Sequence, residues 1–435
     1  MKQTNFRATR GGVAQGTVAV PGDKSISHRA LLLGAIAEGE THIRGFLPGE
    51  DNLSTLKALQ ACGVPITRLD QTTVHVQGVG LRGLKPAEGP LDCGNSGTLM
   101  RLFTGILAGQ SFDSVLVGDE SLSKRPMKRI MDPLAQMGAH IMGTEQGTPP
   151  LKIQGNPQLR AITYTLPMAS AQVKSAILLA GLYATGETTL IAPAVSRDHT
   201  ERMLRAFQYP ITVSGLSASV QGGSVLRGAP IVVPGDLSSA AFLMVAASII
   251  PGSDVTVTRV GVNPTRTGVI DILRAMGADL TITPCAERSD EPMADIRIRY
   301  APLKGIEIAP HLVPLAIDEF PIIFIAAACA EGVTTVRGAE ELRVKETDRL
   351  RVMAEGLAQL GLEVTLTADG LSIQGGPLQG SVIDSHGDHR IAMAFAIAGC
   401  VAHAPIEITQ CHMVETSFPG FVPLVQSIGL QIYCS

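Results

Sequence analysis

The 435-residue sequence contains no tryptophan, and aromatic side chains make up only 4% of it, although 45% of its residues are hydrophobic. Its core must therefore be built from small aliphatic side chains, which is typical of tightly packed helices on sheets. No apolar run reaches the roughly 18 residues that a membrane-spanning helix needs. The longest runs, such as AAFLMVAASII, are therefore interpreted as buried helices.

Disulfides and a strong overall charge are also missing. The 7 cysteines are scattered, odd in number and without a C-x-x-C pair, which favours a reduced, cytoplasmic protein. The N-terminal segment MKQTNFRATRGG has no apolar signal region. The net charge is −4, so no globally basic surface points to nucleic acid. Any anion site must come from local clusters of cations.

Several well-known motifs are absent or fail. The chain has no G-x-x-x-x-G-K-[ST] loop and no G-x-S-x-G turn. GVGLRG at 78–83 matches a dinucleotide-binding pattern, but LKPAEGP follows it and cannot start the required helix. HGDH at 386–389 has no second set of ligands at zinc spacing. The sequence therefore predicts neither a metal nor a cofactor.

What the sequence does contain is a repeated unit. Six times, a polar turn leads into an apolar helix rich in alanine and leucine, and a more amphipathic helix follows. Short alternating strands follow both helices. The apolar segments are GDKSISHRALLLGAIAEG, GNSGTLMRLFTGILAG, ASAQVKSAILLAGLYATG, GDLSSAAFLMVAASIIPG, AIDEFPIIFIAAACAEG and HGDHRIAMAFAIAG. Because a fully apolar helix must be buried on all sides, this pattern predicts two globular α/β domains of three units each.

The domain boundaries are predicted from one duplicated turn. VPGD occurs at 20–23 and again at 233–236, each time before an apolar helix that Asp23 or Asp236 would cap. We expect an N-terminal domain at 21–234 and a C-terminal domain formed by 1–20 plus 235–435. Hinges are expected near 20–21 and 234–236. The second copy is expected to serve mostly as a turn, because it lacks the cations of the first.

Five cationic clusters lie at the ends of these units. DKSISHR brings Lys24, Ser25 and Arg29 to a helix N-terminus, where the backbone N–H groups already favour an anion. SKRPMKR supplies Arg125, and SRDHTER supplies Ser196 and Arg197. Solvated surface charge is the simpler alternative for each cluster taken alone.

The other two clusters lie in the second half. In RVKETDR, helical spacing predicts that Lys345 and Arg349 project from one face at i and i+4, with Glu346 beside them. In GDHR, Arg390 opens a buried helix. Asp318 precedes an apolar helix and is interpreted as a helix N-cap or as an acid–base group. A carboxylate held among cations, such as Glu346, is a candidate general acid or base.

Together these motifs resemble the 5-enolpyruvylshikimate-3-phosphate (EPSP) synthase family. The matching stretches follow the family's order along nearly the whole chain: PGDKSISHRALLLGAIAEG, DCGNSGTLMRLFTG, SKRPMKRI, SAQVKSAILLAG, SRDHTERM, RVKETDRL, GDHRIAMAF and SFPGF. The resemblance implies two domains, each of three βαβαββ units arranged as an inside-out α/β barrel and joined by a double hinge. Shikimate 3-phosphate would lie on the N-terminal side, and phosphoenolpyruvate on the C-terminal side.

The resemblance also implies the chemistry and the site residues. The 5-hydroxyl of shikimate 3-phosphate adds to C2 of protonated phosphoenolpyruvate, and phosphate then leaves the tetrahedral intermediate. The implied catalytic residues are Lys24, Asp318 and Glu346. Those implied to bind shikimate 3-phosphate are Lys24, Ser25, Arg29, Ser170, Ala171, Gln172, Ser196, Arg197, Asp318 and Lys345. Those implied to bind phosphoenolpyruvate are Lys24, Asn95, Gly97, Thr98, Arg125, Gln172, Lys345, Glu346, Arg349 and Arg390.

The sequence departs from the family pattern in places. Ala171 replaces a serine, Glu341 replaces an asparagine, Leu102 stands where one subgroup has proline, and Thr416 stands where many members have lysine. These residues resemble a second sequence class, some of whose members tolerate the herbicide glyphosate, whereas Gly97 is associated with sensitivity. We expect glyphosate to bind at the phosphoenolpyruvate site of a monomeric protein.

Two alternatives remain. The related enolpyruvyl transferase that acts on UDP-N-acetylglucosamine shares the fold but uses a loop cysteine, whereas Cys93 here precedes a Gly-Asn turn. A non-catalytic repeat scaffold that binds anions would not explain why Asp318 and Glu346 lie among cations.

Overall fold

The computed structural model describes residues 4–287 and 289–435. Its internal contacts divide the chain into two units. The N-terminal unit comprises residues 22–233 together with Ser289–Glu291, and the C-terminal unit comprises residues 4–21, 234–287 and 292–435. Within the described ranges, none of the helices has the length and apolar character needed to cross a membrane.

Helices and strands alternate along both units. The α-helices of the described residues are α1 (Lys24–Ile36), α2 (Glu50–Ala61), α3 (Gly97–Ala108), α4 (Lys128–Gln136), α5 (Ala171–Gly181), α6 (His199–Ala206), α7 (Leu237–Ile249), α8 (Gly268–Ala275), α9 (Phe320–Ala328), α10 (Arg349–Gln359), α11 (His389–Gly399) and α12 (Phe421–Ser427).

The strands of the first unit and those that precede it are β1 (Phe6–Thr9), β2 (Gln15–Ala19), β3 (Glu38–Arg44), β4 (Ile66–Arg68), β5 (Thr73–Val79), β6 (Leu91–Asp92), β7 (Ser114–Val117), β8 (His140–Met142), β9 (Leu151–Gln154), β10 (Thr163–Thr165), β11 (Glu187–Ile191), β12 (Ile211–Ser214), β13 (Ser217–Gln221) and β14 (Pro230–Val232). Those that follow are β15 (Asp254–Gly261), β16 (Asp279–Pro284), β17 (Met293–Arg299), β18 (Val333–Val336), β19 (Val364–Leu366), β20 (Leu371–Gln374), β21 (Ser381–Asp384), β22 (Ile406–Thr409) and β23 (Gln431–Cys434).

The six apolar segments form the buried helices that the sequence predicts. They are α1, α3 and α5 in the N-terminal unit, and α7, α9 and α11 in the C-terminal unit. Every residue of α7 and α9 is buried, because these helices have no polar face to turn toward water. The even-numbered helices are partly exposed, as their amphipathic sequences require. Helices therefore form the core of each unit, and sheets lie around them.

The sheets follow one plan in the N-terminal unit. Its three sheets have the strand orders β14-β3-β5-β4, β6-β7-β9-β8 and β10-β11-β13-β12. In each, the first pair is parallel and the remaining pairs are antiparallel. In the second and third sheets a βαβαββ unit produces this pairing, because its first helix is a crossover and its last two strands form a hairpin. In the first sheet, β14 from the end of the N-terminal unit takes the place of the first strand.

The C-terminal unit repeats this plan with borrowed strands. Its sheets are β16-β17-β15-β2, β18-β20-β19 and β21-β22-β1-β23. Strand β2, from the beginning of the chain, pairs in parallel with β15, and β1 lies between β22 and β23. Strand β14, at the end of the N-terminal unit, pairs in parallel with β3. The chain therefore passes between the units directly after β2 and again directly after β14.

Close contact between two buried helices depends on one small residue. A Cβ atom added to Gly105 of α3 would lie 2.2 Å from the carbonyl oxygen of Ala176 in α5. No flexible side chain is involved, so a larger residue would have to push the two backbones apart.

We therefore predict that Gly105→Ala destabilises the protein by about 1–3 kcal/mol, which is the usual cost of overfilling a core. Urea unfolding followed by circular dichroism measures this loss. Gly89→Ala is the matched control, because no atom lies within 4 Å of the added Cβ at that position. Equal midpoints for the two variants would show that α3 and α5 can separate without cost.

Candidate functional site

The first VPGD turn positions the start of α1. Asp23 caps the helix by accepting a hydrogen bond from the Ile26 N–H at 2.8 Å, as predicted. Gly22 is required because an added Cβ would lie 1.8 Å from the Gly45 carbonyl oxygen. This turn places Lys24 and Ser25 in the first turn of α1 and Arg29 one turn later.

The second VPGD turn is expected from the sequence to serve mostly as a turn, but the structure places a cation in it. Asp236 caps α7 by accepting from the Ser238 N–H at 2.9 Å, as predicted. However, Arg266 Nη2 also lies 3.2 Å from Asp236 Oδ1, and it donates to Ser238 Oγ at 2.6 Å. Glu319 accepts from Arg266 at 3.3 Å and from Ser238 Oγ. This copy therefore has a cation too, supplied from a distant loop and paired with buried carboxylates.

Lys24 is held by a carboxylate of the next helix. Its Nζ lies 3.1 Å from Asp51 Oδ2, and the Asn52 side chain donates to the Lys24 carbonyl at 3.0 Å. Asp51 is buried, whereas Lys24 is partly exposed. The ion pair therefore fixes the direction of the lysine side chain and leaves part of it accessible.

Arg29 is buried in a network of hydroxyl groups. Its guanidinium donates to Thr200 Oγ1 at 2.7 Å, to Ser175 Oγ at 2.8 Å and to the Ser25 carbonyl at 3.0 Å. Burial lowers the pKa of Arg29 to about 10, although the Glu201 carboxylate opposes this shift. Arg29 therefore remains a cation at neutral pH.

A second buried ion pair lies next to this network. Lys174 of α5 contacts Glu201 of α6, with its Nζ 2.5 Å from Oε1, and it also donates to the Ser196 carbonyl at 3.4 Å. Ser196 is buried and Arg197 is partly exposed. The predicted pair Ser196 and Arg197 is thus anchored through a lysine that the sequence analysis did not select.

The turn before α3 brings together two further cations. Arg125 Nη2 donates to Asn95 Oδ1 at 2.9 Å, and Asn95 Nδ2 donates to Asp119 at 2.7 Å. A Cβ at Gly97, the first residue of α3, would lie 3.1 Å from both Arg101 Nη1 and Arg125 Nη1. Glycine therefore leaves room for two guanidinium groups at this helix end.

Gln172 connects α5 to the same turn. Its amide nitrogen donates to Thr98 Oγ1 at 2.9 Å, and its amide oxygen accepts a hydrogen bond from Arg101. Ser170 caps α5 by accepting from the Val173 N–H, and Ala171 is the first residue of the helix. We call the following residues the N-terminal cluster: Lys24, Ser25, Arg29, Asn95, Gly97, Thr98, Arg101, Arg125, Ser170, Ala171, Gln172, Lys174, Ser196 and Arg197.

His28 lies next to this cluster, in the interior of the N-terminal unit. It is fully buried between Thr55 Oγ1, 2.7 Å from Nδ1, and Ser96 Oγ, 3.3 Å from Nε2. Burial and the positive charges of Lys24 and Arg29 lower the pKa of His28 well below the usual 6.5. The imidazole is therefore neutral at physiological pH.

In the C-terminal unit, Asp318 is the centre of a second group. Its Oδ1 lies 3.4 Å from Lys345 Nζ and 3.6 Å from Arg349 Nη1, and Arg390 donates to its backbone carbonyl at 3.0 Å. Glu346 accepts from Arg349 Nη2 at 2.6 Å. These residues form what we call the C-terminal cluster: Asp318, Lys345, Glu346, Arg349 and Arg390.

Arg349 is the most deeply buried member, with 1% of its side chain exposed. Its Nε donates to Asp388 Oδ2 at 2.8 Å, and Asp388 also caps α11 by accepting from the Arg390 N–H. Burial alone would lower the pKa of Arg349, but the Asp388 and Glu346 carboxylates raise it above its usual value. Arg349 therefore stays positively charged, and its hydrogen bonds to Asp388 and Glu346 hold the guanidinium group in one orientation.

Two predictions about this cluster are wrong in their local geometry. Lys345 and Arg349 do not share a helix face, because Glu340–Val344 is a 3₁₀ helix, Lys345 is extended and α10 begins at Arg349. Asp318 is not the N-cap of α9, since Glu319 occupies that position. The three residues nevertheless meet, because the carboxylate of Asp318 attracts both cations.

The structure thus places each predicted residue in one of two clusters, and it adds several that were missed. Lys174 could have been noticed as a charge inside an apolar helix, and Asp388 as the cap in GDHR. Arg101 carries the same signal as Lys174, within α3, whereas the sequence carries none for Asp51 or Glu201. Asp51 and Glu201 pair with lysines of the preceding helix in the same repeat unit. Arg101 contacts Gln172 of the next unit. Contacts between separate helices are not visible in a linear pattern.

Comparison with known proteins identifies the family. A family model described as EPSP synthase (3-phosphoshikimate 1-carboxyvinyltransferase) matches residues 9–424. The chain belongs to the EPSP synthase family. The 3-phosphoshikimate 1-carboxyvinyltransferase of Alkalilimnicola ehrlichii is 58% identical over 428 residues, 98% of this chain and 96% of that protein. That of Methylococcus capsulatus is 56% identical over 434 residues, 100% of this chain and 99% of that protein.

A comparison with solved structures gives the same family. That of the EPSP synthase from Acinetobacter baumannii has a TM-score of 0.89 and 53% sequence identity, and the match covers 99% of this chain and 100% of that chain. The chain is therefore an EPSP synthase-type transferase, and its reaction is enolpyruvyl transfer in the shikimate pathway. The resemblance seen in the sequence is confirmed, and neither alternative is favoured.

The buried His28 generates a prediction about pH. Below pH 6.5 the unfolded chain takes up a proton on this histidine that the folded chain excludes, so acid favours unfolding. We expect His28 to reduce the free energy of unfolding by roughly 1 kcal/mol between pH 6.5 and 5.5.

Urea unfolding at pH 7.5, 6.5 and 5.5 tests this, with His28→Gln as the variant that cannot titrate at this position. Between pH 6.5 and 5.5 the free energy of unfolding should fall more for the wild type than for the variant. The other histidines contribute equally to both proteins. Parallel curves would show that His28 accepts its proton in the folded state.

Proposed function

We propose that the N-terminal and C-terminal clusters together bind phosphoenolpyruvate and shikimate 3-phosphate for enolpyruvyl transfer. The observation that carries this proposal is the contact of Asp318 with Lys345 and Arg349, and of Glu346 with Arg349. Two carboxylates held against fixed cations can exchange protons with a substrate without losing their orientation. A site that only bound anions would gain nothing from such carboxylates.

The charges of the substrates explain the number of cations. Each substrate carries a phosphate, and each also carries a carboxylate, so bringing them together costs Coulomb energy. Charge-assisted hydrogen bonds from arginine and lysine offset this repulsion by about 1.5–3 kcal/mol each. Buried guanidinium groups suit this role, because they stay charged and orient two donors toward one anion.

For shikimate 3-phosphate, we propose a site centred on the N-terminal unit. Lys24, Ser25, Ser196 and Arg197 offer hydroxyl and cationic groups that are partly accessible or lie next to accessible ones. Arg29 fixes Ser25 by donating to its carbonyl. The remaining proposed residues are Arg29, Ser170, Ala171, Gln172, Asp318 and Lys345.

For phosphoenolpyruvate, the proposed residues come from both clusters. Gly97 leaves space beside the guanidinium of Arg125, which matches the small size of this substrate. On the C-terminal side, Lys345, Arg349 and Arg390 would meet its carboxylate and phosphate. The other proposed residues are Lys24, Asn95, Thr98, Gln172 and Glu346.

These positions are compatible with the proton transfers that the family resemblance implies. Asp318 accepts the proton of the 5-hydroxyl as its oxygen attacks C2 of phosphoenolpyruvate. Lys24 and Glu346 deliver a proton to the methylene carbon and remove one when phosphate leaves the tetrahedral intermediate. Asp51 supports this role by holding the Lys24 ammonium group at 3.1 Å.

The same proposal includes wider features of the enzyme. The chain segments near 20–21 and 234–236 act as hinges, with shikimate 3-phosphate on the N-terminal side and phosphoenolpyruvate on the C-terminal side. The enzyme works as a monomer in the cytoplasm. Glyphosate competes with phosphoenolpyruvate for its site.

The first test measures phosphate release from phosphoenolpyruvate in the presence of shikimate 3-phosphate. The wild type should release phosphate, and Lys24→Met and Asp318→Ala should each reduce kcat by at least about 100-fold, the usual contribution of an acid–base group. Neither change empties the core, since both side chains are partly exposed.

Lys57→Met and Asp271→Ala are the matched controls, because these side chains are exposed on α2 and α8. They should keep the wild-type rate. UDP-N-acetylglucosamine, offered as the acceptor instead, should give no release. Full activity in Lys24→Met or Asp318→Ala would remove that residue from the proposed mechanism.

The second test concerns Gly97. An alanine there would place Cβ 3.1 Å from the guanidinium groups of Arg101 and Arg125, so both must shift by a few tenths of an ångström. We expect Gly97→Ala to raise the inhibition constant of glyphosate more than the KM of phosphoenolpyruvate, because the larger ligand fills the site more tightly.

Steady-state inhibition at several phosphoenolpyruvate concentrations measures both constants. Gly89→Ala, which adds a methyl group in open space, is the control and should change neither constant. Inhibition that does not compete with phosphoenolpyruvate would place glyphosate elsewhere.

A further inference from the structure

His28 joins two parts of the N-terminal cluster that are far apart in sequence. On one side, its Nδ1 lies 2.7 Å from Thr55 Oγ1, and Thr55 Oγ1 lies 3.4 Å from the Asp51 carbonyl. Asp51 holds Lys24. On the other side, His28 Nε2 lies 3.3 Å from Ser96 Oγ, in the turn that carries Asn95 and Gly97.

The direction of these hydrogen bonds depends on which hydroxyl and ring hydrogens can find an acceptor. Ser96 Oγ accepts from the Leu99 N–H at 3.1 Å, so its hydroxyl hydrogen needs another acceptor. His28 Nε2 provides that acceptor only if it carries no proton. The proton then lies on Nδ1 and points to Thr55, whose own hydrogen points to the Asp51 carbonyl. Each hydrogen has an acceptor.

The opposite tautomer leaves one hydrogen without an acceptor. If Nε2 carried the proton, it would donate to Ser96 Oγ, and the Ser96 hydroxyl hydrogen would have no acceptor in the described structure. Ser96 is 1% exposed, so bulk water does not reach its hydroxyl group. An unsatisfied buried hydroxyl is costly. The structure therefore favours the neutral Nδ1–H form.

We propose that His28 is a positioning residue, whose neutral Nδ1–H imidazole keeps Lys24 and the Asn95–Thr98 turn in a fixed relation. It reaches Lys24 through Thr55 and Asp51, and it reaches the turn through Ser96. This inference rests on the proposed function, because it assumes that Lys24 and the turn bind the substrates. His28 is fully buried, and the proposal gives it no contact with the substrates.

The first experiment observes the tautomer and needs no activity. Full-length protein with ¹⁵N-labelled histidine is examined by long-range ¹H–¹⁵N correlation NMR at pH 7, and the His28 signals are assigned from their loss in His28→Gln. We expect the pattern of a neutral ring protonated at Nδ1. A ring protonated at Nε2, or at both nitrogens, overturns the proposal.

The second experiment removes the link on one side. Thr55→Val keeps the shape of the side chain but deletes the hydroxyl, so Nδ1–H loses its acceptor. We expect kcat/KM for phosphoenolpyruvate to fall about 10-fold, the effect of one lost hydrogen bond in a buried network. The NMR pattern should change as well, because without the Thr55 hydroxyl the Nδ1–H tautomer loses its advantage over the Nε2–H tautomer. Thr55→Ser, which restores the hydroxyl, should recover both readouts.

Thr104→Val is the matched control. Thr104 is also a fully buried threonine in a helix, and its hydroxyl donates to the carbonyl four residues earlier at 2.7 Å, as that of Thr55 does at 3.4 Å. This variant should keep kcat/KM within about 2-fold and leave the His28 signals unchanged. If Thr55→Val and Thr104→Val have the same kcat/KM, His28 has no positioning role.

The two proposals fail in different ways. If the wild-type protein released no phosphate with shikimate 3-phosphate, the proposed function would fall, and with it the link of His28 to that reaction. If the wild type is active but Thr55→Val matches its control, only the role of His28 falls. Urea midpoints of all variants show whether a loss of activity reflects unfolding.

Discussion

The whole architecture depends on one constraint: six helices without a polar face must be hidden from water. Each unit meets it by packing three of these helices together and placing sheets around them. Within the N-terminal unit, the beginnings of α1, α3 and α5 come into contact through His28, Ser96, Thr98 and Gln172. The same holds in the C-terminal unit, where Ser238, Glu319, Asp318 and Arg390 join α7, α9 and α11. Burying the helices thus gathers their N-terminal ends.

Gathered N-terminal ends favour anions, because free N–H groups and helix dipoles point to one place. The protein satisfies them first with its own groups. Asp23, Ser96 and Ser170 cap the helices of one unit, and Asp236 and Asp388 cap two helices of the other. Cations added at such ends are unfavourable by themselves, and internal acceptors hold them: carboxylates for Lys24 and Arg349, hydroxyl groups for Arg29, and amide or carbonyl oxygens for Arg125 and Arg390. The two clusters thus combine helix dipoles, cations and internal carboxylates.

Much of this could be predicted from the sequence, because its signals are local. Periodicity and turn residues predict the buried helices, the amphipathic helices that follow them, and the two capped VPGD turns. What failed depends on contacts between distant segments. The spacing of Lys345 and Arg349 indicated one helix face, but the chain there is partly 3₁₀ and partly extended. Arg266 enters the second VPGD turn from a loop thirty residues later, and no local pattern announces it.

The borrowed strands have a consequence for synthesis on the ribosome. The sheets of the N-terminal unit are complete once β14 has emerged, so nearly all of this unit can fold while the chain is still growing. The C-terminal unit cannot, because β1 lies between β22 and β23, which follow it by about 400 residues. Strand β1 therefore cannot take its place in this sheet until both β22 and β23 have been synthesised.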